Sequence, residues 1–322
     1  MFRDYKIAYL RERVKIKQAV PLSFLRQSVA YMLSLSTRTI PHVAMIRQFD
    51  VTPLIEYTKG AGKDVDGNGT SAQEALLKRA IRKNYSAFFI KTVAHCLYHT
   101  PVLNGFLDYT PWRNGGIFYI AEDINLSFTV HTKFGVIKPI VRNPHLKTLE
   151  TVANEMRELA RRARRTDAEE LYRRAALAYV KTALKNLNLA ALLPLWTLVR
   201  SLLWQRRKPD PEFAKIPYDK RLQVEDILGA TCTVANIGMM VPGHQTVTAI
   251  IPPEVMMFGL GDLHQAPLIV DNKVVPRYVI TMCGTGDHRA FDPGDGFPFV
   301  DRFQHYIDDP ALIYTWQPGN AL

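Results

Sequence analysis

Apolar residues recur at intervals of three and four in four stretches of the chain, 21–33, 86–98, 149–163 and 299–307. This spacing places apolar side chains on one face of a helix, so each stretch is predicted to be helical. Pro21 is expected to open the first helix. In the third, a set of arginines occupies the opposite face and is expected to be solvated: Arg157, Arg161, Arg162, Arg164 and Arg165.

Strands are predicted where short apolar runs are bounded by turn residues. These runs are 43–51, 230–236, 245–251, 255–260 and 274–283, and strand-like alternation continues through 117–140. Turns are expected at Gly135 and at Asp271-Asn272, and an exposed loop at the glycine-rich stretch 60–69. Helices and strands are intermixed without a strand–helix–strand rhythm or a glycine-rich phosphate loop. The pattern therefore favours an α+β fold, with a mixed sheet covered by helices, over a doubly wound nucleotide-binding fold.

Charge and cysteine content narrow the class of protein further. The 322 residues carry a net charge of +11, which favours an anionic partner such as nucleic acid, an acidic lipid surface or a phosphorylated cofactor. No nucleic-acid reading motif accompanies the charge, so a nucleic-acid partner is not expected. Three cysteines without a paired motif, together with a charged segment 1–17, predict a reducing compartment, no zinc site and no secretory signal.

One stretch stands apart because it carries no charge. Residues 186–199 (NLNLAALLPLWTLV) are uncharged, contain Pro194 and are followed by Arg206, Arg207 and Lys208. A bilayer span needs about 20 apolar residues, so this stretch is too short to cross a membrane. It is predicted to form a helical hairpin bent at Pro194 that covers the core, a partner or a membrane surface.

The strongest candidate for chemistry is a histidine that follows the last predicted strand. The strand leads through Gly284, Thr285 and Gly286 into Asp287-His288. A loop fixed by a sheet can hold an imidazole in one orientation, and histidine can take and return a proton near neutral pH. From these residues alone, a purely structural histidine paired with Asp287 or Asp292 is an equally good interpretation.

The segment GDHRAFD (286–292) resembles the signature of the dihydrolipoamide acyltransferase family. Further blocks resemble that family in the same order, namely 21–52, 86–107, 135–143, 221–238 and 248–261. The resemblance implies a chloramphenicol-acetyltransferase-like two-layer sandwich, formed by a single catalytic domain over 1–322. The helical hairpin would be an insertion at 165–220, where the family has a short loop.

The resemblance also implies an activity and a set of site residues. It implies a homotrimer with active sites at the subunit interfaces, coenzyme A or acyl-CoA as substrate, no metal and no lipoyl group bound covalently to this chain. His288 would be the general base, and Asp292 would hold the loop through a buried ion pair with Arg26. Asn236, Gly261 and Ala235 would lie along the coenzyme A channel, and His42 would support the fold beside it.

Several departures from the family pattern suggest weakened activity. Ala235 stands where the family carries a hydroxyl that stabilises the oxyanion, and Thr233 or Asn236 would replace it only with local rearrangement. Pro293 replaces a glycine, and Thr58 and His131 alter the expected channel lining. An alternative is therefore a non-catalytic assembly subunit of a 2-oxoacid dehydrogenase-type complex.

Partners and location follow from the same resemblance. Neither a lipoyl domain nor a subunit-binding domain precedes Val20, so acyl groups are expected to come from a lipoyl-bearing or 2-oxoacid dehydrogenase partner, or from acyl-CoA used with a free acceptor. The insertion has two open interpretations: packing on its own trimer, or peripheral contact with an anionic membrane through 175–208. The expected location is the cytoplasm or another reducing compartment, the mitochondrial matrix included.

Overall fold

The computed structural model describes residues 5–59, 72–109, 115–133, 135–185, 211–236, 238 and 245–315. The helices are α1 (Tyr5–Arg13), α2 (Phe24–Thr39), α3 (Thr52–Lys59), α4 (Ala72–Lys83), α5 (Tyr85–His99), α6 (Leu149–Arg164), α7 (Ala168–Lys185), α8 (Pro211–Ala214), α9 (Phe297–Asp308) and α10 (Leu312–Thr315). The strands are β1 (His42–Asp50), β2 (Gly105–Asp108), β3 (Ile117–Ile120), β4 (Asn125–Phe128), β5 (Val130–Thr132), β6 (Gly135–Ile137), β7 (Ile140–Arg142), β8 (Cys232–Asn236), β9 (Met256–Val270) and β10 (Lys273–Asp287).

A six-stranded mixed sheet in the order β1-β10-β9-β8-β4-β7 organises the chain. Strand β8 runs parallel to both β4 and β9, and the other neighbours are antiparallel. Helices α5, α6 and α9 pack together beside one face, where Phe258 of β9 stacks on Phe299 of α9 with ring centroids 4.5 Å apart. The predicted mixed sheet covered by helices is confirmed.

Helix α2 begins later than its sequence predicts. Pro21 lies ahead of the helix, and Ser23 is the N-cap, because its hydroxyl accepts a hydrogen bond from the backbone N–H of Arg26 at 3.3 Å. A serine hydroxyl satisfies an N–H that the first helical turn leaves free, so the cap fixes the start. The prediction that Pro21 opens the helix is therefore wrong.

The predicted strand 245–251 does not form. This segment instead crosses the sheet without joining a hydrogen-bonded ladder, and a Cβ added to Gly259 would come within 2.9 Å of the Thr248 methyl. The Ser36 hydroxyl donates to the Ile250 carbonyl, which fastens the segment to α2. Within the segment Ile250 is fully buried without strand pairing, whereas Val247 is exposed.

Two predicted turns are confirmed by the backbone. Gly135 has φ +128°, a conformation that favours glycine, where β5 turns into β6. Asp271 and Asn272 have φ of 50° and 59°, and two consecutive left-handed residues are what a tight two-residue hairpin between β9 and β10 requires. The predicted loop 60–69 lies outside the described residues.

One arginine of α6 departs from the predicted solvated face. Arg162 is half-buried and donates to Asp226 at 2.6 Å and to the Arg221 carbonyl at 2.7 Å. It therefore attaches α6 to the segment that precedes β8. The other four arginines of the set are exposed, as predicted.

The insertion is described only at its ends, by α7 and α8. Helix α7 packs on α2, and the Arg173 guanidinium lies 5.1 Å from the centroid of the Phe24 ring. Pro194 and the uncharged stretch lie outside the described residues, so the hairpin remains a prediction. Among the helices that the structure describes, none has the length and apolar character to cross a bilayer.

Two buried threonines of the sheet differ in hydrogen bonding and should differ in their effect on stability. The Thr281 hydroxyl has no hydrogen-bond partner among the described residues, whereas the Thr233 hydroxyl donates to Glu254 at 2.7 Å. We expect Thr281→Val to raise the free energy of unfolding by about 1 kcal/mol and Thr233→Val to lower it by about 1–3 kcal/mol. Urea denaturation of both variants measures this, and equal destabilisation would contradict it.

Candidate active site

His288 lies directly after β10, at the end of the sheet. The first residue of β1, His42, pairs with Asp287, and the backbone N–H of His288 donates to the Pro41 carbonyl at 3.1 Å. The backbone is thus fixed on both sides of the imidazole. The His288 side chain is 45% exposed in the single chain, so a substrate or a second protein molecule can reach it.

The loop that carries His288 contains two aspartates, of which Asp287 is buried and Asp292 is exposed. Asp287 is buried and accepts two hydrogen bonds from Arg289, at 2.9 and 2.7 Å. Asp287 is therefore occupied by Arg289. The Oδ1 atom of Asp292 lies 3.5 Å from His288 Nδ1, which leaves Nε2, across the ring, to exchange a proton.

Asp292 does not form the expected buried ion pair with Arg26. Its side chain is 83% exposed, and Arg26 is an exposed residue in the first turn of α2. Arg26 and the opposite end of that helix, Thr39, which lies just before Pro41, are about 20 Å apart at 1.5 Å per residue. The expected buried ion pair is therefore not formed within one chain.

Pro293 stands at the first position of a short turn after Asp292. It opens a 3₁₀ turn, Pro293–Gly296, and the Asp292 N–H donates to the Asp295 carboxylate at 2.9 Å. Proline suits this position because its φ is already that of the turn and no N–H is needed there. Helix α9 follows directly, with Gly296 as its N-cap residue.

His42 links three parts of the fold beside His288. Its Nε2 lies 3.1 Å from the Ser36 hydroxyl, which in turn donates to the Ile250 carbonyl. This chain of contacts joins β1, α2 and the segment that crosses the sheet. The placement suits the supporting role expected of His42.

A cavity of about 660 Å³ lies on the helix-covered side of the sheet. Asn236, Gly261 and His131 line it, and Asn236 donates to the Ser86 hydroxyl at 3.1 Å. Thr58 is buried behind the lining, where its hydroxyl lies 3.0 Å from that of Tyr85. The wall combines apolar and basic side chains, among them Phe89, Ile90, Met156, Lys83, Arg157 and Arg164.

Ala235 faces the other side of the sheet. Val234 and Asn236 line the large cavity, and alternate strand residues point to opposite faces. Ala235 is 3% exposed. In the row of paired residues across the sheet, it is followed by Gly259 on β9, Cys283 on β10 and Ile46 on β1. The last three residues line a second cavity, of about 130 Å³.

The two residues considered as substitutes for the missing hydroxyl are already engaged. Thr233 shares the face of Ala235, but its hydroxyl donates to Glu254. Asn236 lies on the opposite face and donates to Ser86. Neither is free to act at Ala235 in this arrangement.

His288 and Ala235 are far apart within one chain. They lie on β10 and β8, two strands apart, and are offset by five residues, because Cys283 is the residue of β10 in the row of Ala235. With a rise of about 3.3 Å per residue and strands about 4.8 Å apart, the separation is about 19 Å. The structure thus brings together His288 with Asp292, and Asn236 with Gly261, but not the two pairs.

Sequence reasoning missed a polar cluster around Glu254 on the face of Ala235. Burial raises the pKa of the Glu254 carboxyl, and the positive charge of Lys138 opposes that shift. The sequence signals were Glu254 directly before the apolar run 255–260 and Lys138 between Ile137 and Pro139. Within the described residues, no group of three histidine, cysteine or acidic side chains is placed to hold a metal ion.

The chain matches the family model of the 2-oxoacid dehydrogenases acyltransferase (catalytic domain) over residues 14–171 and 212–315. It is 21% identical, over 290 residues, to the dihydrolipoyllysine-residue acetyltransferase component of the pyruvate dehydrogenase complex of Staphylococcus aureus. That match covers 90% of this chain and 51% of the relative. The chain therefore spans about half the length of such relatives.

Solved structures show the same fold. The dihydrolipoamide acetyltransferase of Azotobacter vinelandii superposes with a TM-score of 0.65 at 21% identity, covering 95% of this chain and 96% of that one. A probable dihydrolipoamide acetyltransferase from Listeria monocytogenes gives 0.60 at 20% identity, with 95% and 98% covered. The predicted α+β fold of the dihydrolipoamide acyltransferases is confirmed. The matched residues make up most of the sequence, and the chain belongs to the 2-oxoacid dehydrogenases acyltransferase (catalytic domain) family.

Proposed function

We propose that this protein transfers an acyl group between coenzyme A and a thiol acceptor, with His288 as the general base. One observation carries the proposal. The His288 imidazole is half-exposed at the end of the sheet, its backbone fixed by Pro41 and its Nδ1 placed 3.5 Å from Asp292. A fixed imidazole with one free nitrogen is suited to take a proton from a thiol and return it.

The proposed reaction uses each ring nitrogen for one task. Nε2 accepts the proton of the attacking thiol, and the thiolate adds to the thioester carbonyl. The tetrahedral intermediate collapses as the C–S bond to the leaving group breaks, and His288 returns the proton to that sulfur. Asp292, 3.5 Å from Nδ1, orients the ring so that Nε2 faces the substrate.

We propose that a second copy of the chain completes the site. His288 and the row of Ala235 are about 19 Å apart on one chain, which is too far for one thioester carbonyl to meet both. A homotrimer in which His288 of one subunit meets the cavities of its neighbour satisfies this geometry. Cyclic symmetry allows the same contact to repeat at each interface.

The large cavity is the proposed coenzyme A site. Its apolar wall suits the pantetheine arm, and three cationic side chains suit the phosphates. Dihydrolipoyl groups of a separate lipoyl-bearing partner, as in 2-oxoacid dehydrogenase complexes, are the proposed acceptors. We further propose a reducing compartment, in keeping with the free, buried state of Cys96, Cys232 and Cys283.

The test of this function is acetyl transfer from acetyl-CoA to dihydrolipoamide by the purified chain. The release of free coenzyme A measures the transfer. Saturable, protein-dependent release is the expected result. Saturable binding of acetyl-CoA by calorimetry without transfer would instead support the alternative, a non-catalytic assembly subunit. The absence of a hydroxyl at Ala235 is the observation that favours this alternative.

Removing the cationic side chains of the cavity should weaken coenzyme A binding. Arg157→Ala and Arg164→Ala are each expected to raise the KM for acetyl-CoA by about 10- to 100-fold, because a charge-assisted hydrogen bond contributes about 1.5–3 kcal/mol. Steady-state kinetics with varied acetyl-CoA measures the effect. Arg161→Ala is the matched control, since Arg161 lies on the same helix but pairs with Glu158 outside the cavity. A KM equal to that of the wild type in both cavity variants would contradict the assignment.

A further inference from the structure

Four polar side chains form a connected cluster on the face of the sheet that carries Ala235. The Thr233 hydroxyl donates to Glu254 at 2.7 Å and lies 2.8 Å from the Ser127 hydroxyl. Lys138 Nζ lies 3.5 Å from the same Thr233 oxygen. Glu254, Ser127 and Thr233 are buried, whereas Lys138 is only half-buried.

The Lys138 ammonium has bonding capacity to spare. An ammonium carries three N–H donors, and its one hydrogen bond among the described residues is at the outer limit of distance. Lys91, by contrast, is buried and donates to two carbonyls, those of His145 and Lys147, at 3.1 and 2.7 Å. Lys91 has a structural role, whereas Lys138 is held nearby and left able to bind an anion.

Thr233 lies between Lys138 and Glu254. Its hydroxyl donates to Glu254 and accepts from Lys138, and Glu254 forms no direct ion pair with Lys138 within the described residues. The carboxyl of Glu254 therefore does not occupy the Lys138 ammonium. The backbone of Lys138 is hydrogen-bonded to the Tyr172 side chain of α7, which fixes the base of the lysine side chain.

The cluster lies close to the position that lacks a hydroxyl. Thr233 and Ala235 are two residues apart on one strand, which places them about 7 Å from each other on the same face. The second cavity begins beside Ala235, and its described lining contains no charged side chain. Leu260 and Gly261 line both this cavity and the large one, which is where an acyl group on coenzyme A in the large cavity would meet the face of Ala235. The Lys138 ammonium lies on that face, next to Thr233.

We propose that the Lys138 ammonium stabilises the negative charge that develops on the acyl oxygen, in place of the hydroxyl that Ala235 lacks. Thr233, whose hydroxyl contacts both Lys138 and Glu254, is a positioning residue that holds the ammonium in place. This inference rests on the proposed acyltransferase function. In the step concerned, thiolate attack converts the carbonyl to an oxyanion, which accepts a hydrogen bond from Lys138. The carbonyl re-forms as the C–S bond breaks, and Lys138 keeps its protons throughout.

The test compares the effect of Lys138→Met in two backgrounds, the natural chain and Ala235→Ser. In the natural chain, the loss of the oxyanion donor is expected to lower kcat for acetyl transfer to dihydrolipoamide by about 100- to 1,000-fold, with the KM for acetyl-CoA unchanged. In the Ala235→Ser background, the serine hydroxyl takes over the hydrogen bond. There Lys138→Met should lower kcat by about tenfold or less.

Further variants separate a chemical role from a structural one. Lys138→Arg keeps a cation and should retain about a tenth or more of the natural kcat, whereas Lys138→Gln should behave like Lys138→Met. Lys133→Met removes an exposed lysine near the start of β6 that pairs with Glu212, and should leave kcat unchanged. Thermal unfolding of every variant shows that the fold is retained.

The outcomes distinguish this inference from the function on which it rests. Acetyl transfer that is indifferent to Lys138→Met, or that falls by the same factor in both backgrounds, would overturn the role of Lys138 alone. No transfer by either the natural chain or Ala235→Ser would overturn the acyltransferase function, and the inference with it. A large fall in kcat upon Lys138→Met in the natural background alone supports both the role of Lys138 and the acyltransferase function.

Discussion

Replacement of His288 by alanine is expected to lower kcat for acetyl transfer by about 100- to 10,000-fold, the range typical of a general base. The methyl group cannot accept the proton of the attacking thiol, so the thiolate forms only by ionisation in water. The KM for acetyl-CoA should change little, because the large cavity and its cationic wall are intact. Steady-state kinetics with acetyl-CoA and dihydrolipoamide measures both constants.

His264→Ala is the matched control for that experiment. His264 lies on β9, and its Nδ1 is 3.1 Å from the Asp262 carbonyl, away from the loop that carries His288. It should retain the natural kcat, and size-exclusion chromatography should give both variants the natural assembly. Transfer at the natural rate by His288→Ala would remove the proposed mechanism, whatever the state of the fold.

The helical layer was predictable because its pattern comes from local geometry. The spacing of Phe299, Phe303, Tyr306 and Ile307 requires one buried face on a helix, and all four are buried in α9. The start of α2 was not, because the prediction relied on Pro21, whereas the helix begins after the N-cap Ser23. The hydrogen bond that fixes this start is visible only in the structure.

Strands form in 117–140 as predicted, but the alternation of buried and exposed residues expected there is absent from β4, where all four residues are buried. Conversely, 245–251 has the composition of a strand and no ladder. An apolar composition indicates that a segment is buried, but it does not show whether the segment pairs with a neighbouring strand. That depends on the register of the strands beside it.

The separation of the site into two halves could not be predicted from the sequence alone. His288 and Asp292 are four residues apart, and Asn236 and Gly261 lie on neighbouring parallel strands, so each pair has a local cause. The separation of about 19 Å between His288 and Ala235 depends on the strand order β10-β9-β8. The resemblance to the acyltransferase family implied active sites at subunit interfaces. The geometry of the sheet gives a reason for this, because it keeps the two halves of the site apart within one chain.

Two inactive variants should restore activity when they assemble together. His288→Ala removes the base, and Ser86→Trp fills the large cavity from a half-buried position on its wall. Each alone should be inactive. If the base of one subunit serves the cavity of its neighbour, a trimer assembled at random from equal amounts of the two holds an intact site at about one interface in four.

The matched control places both substitutions on one chain and co-expresses it with the natural chain. A site shared between subunits again leaves about a quarter of the interfaces intact, since base and cavity are drawn independently from two chains. A site contained within one chain would instead leave about half intact in this control and none in the mixture of single variants. A shared site therefore gives equal activity in the two mixtures, whereas a site within one chain gives activity only in the control mixture, and kcat per subunit in the purified assemblies decides between them. Recovery in the mixture of single variants would show that the base and the cavity act across an interface, as the sheet geometry requires.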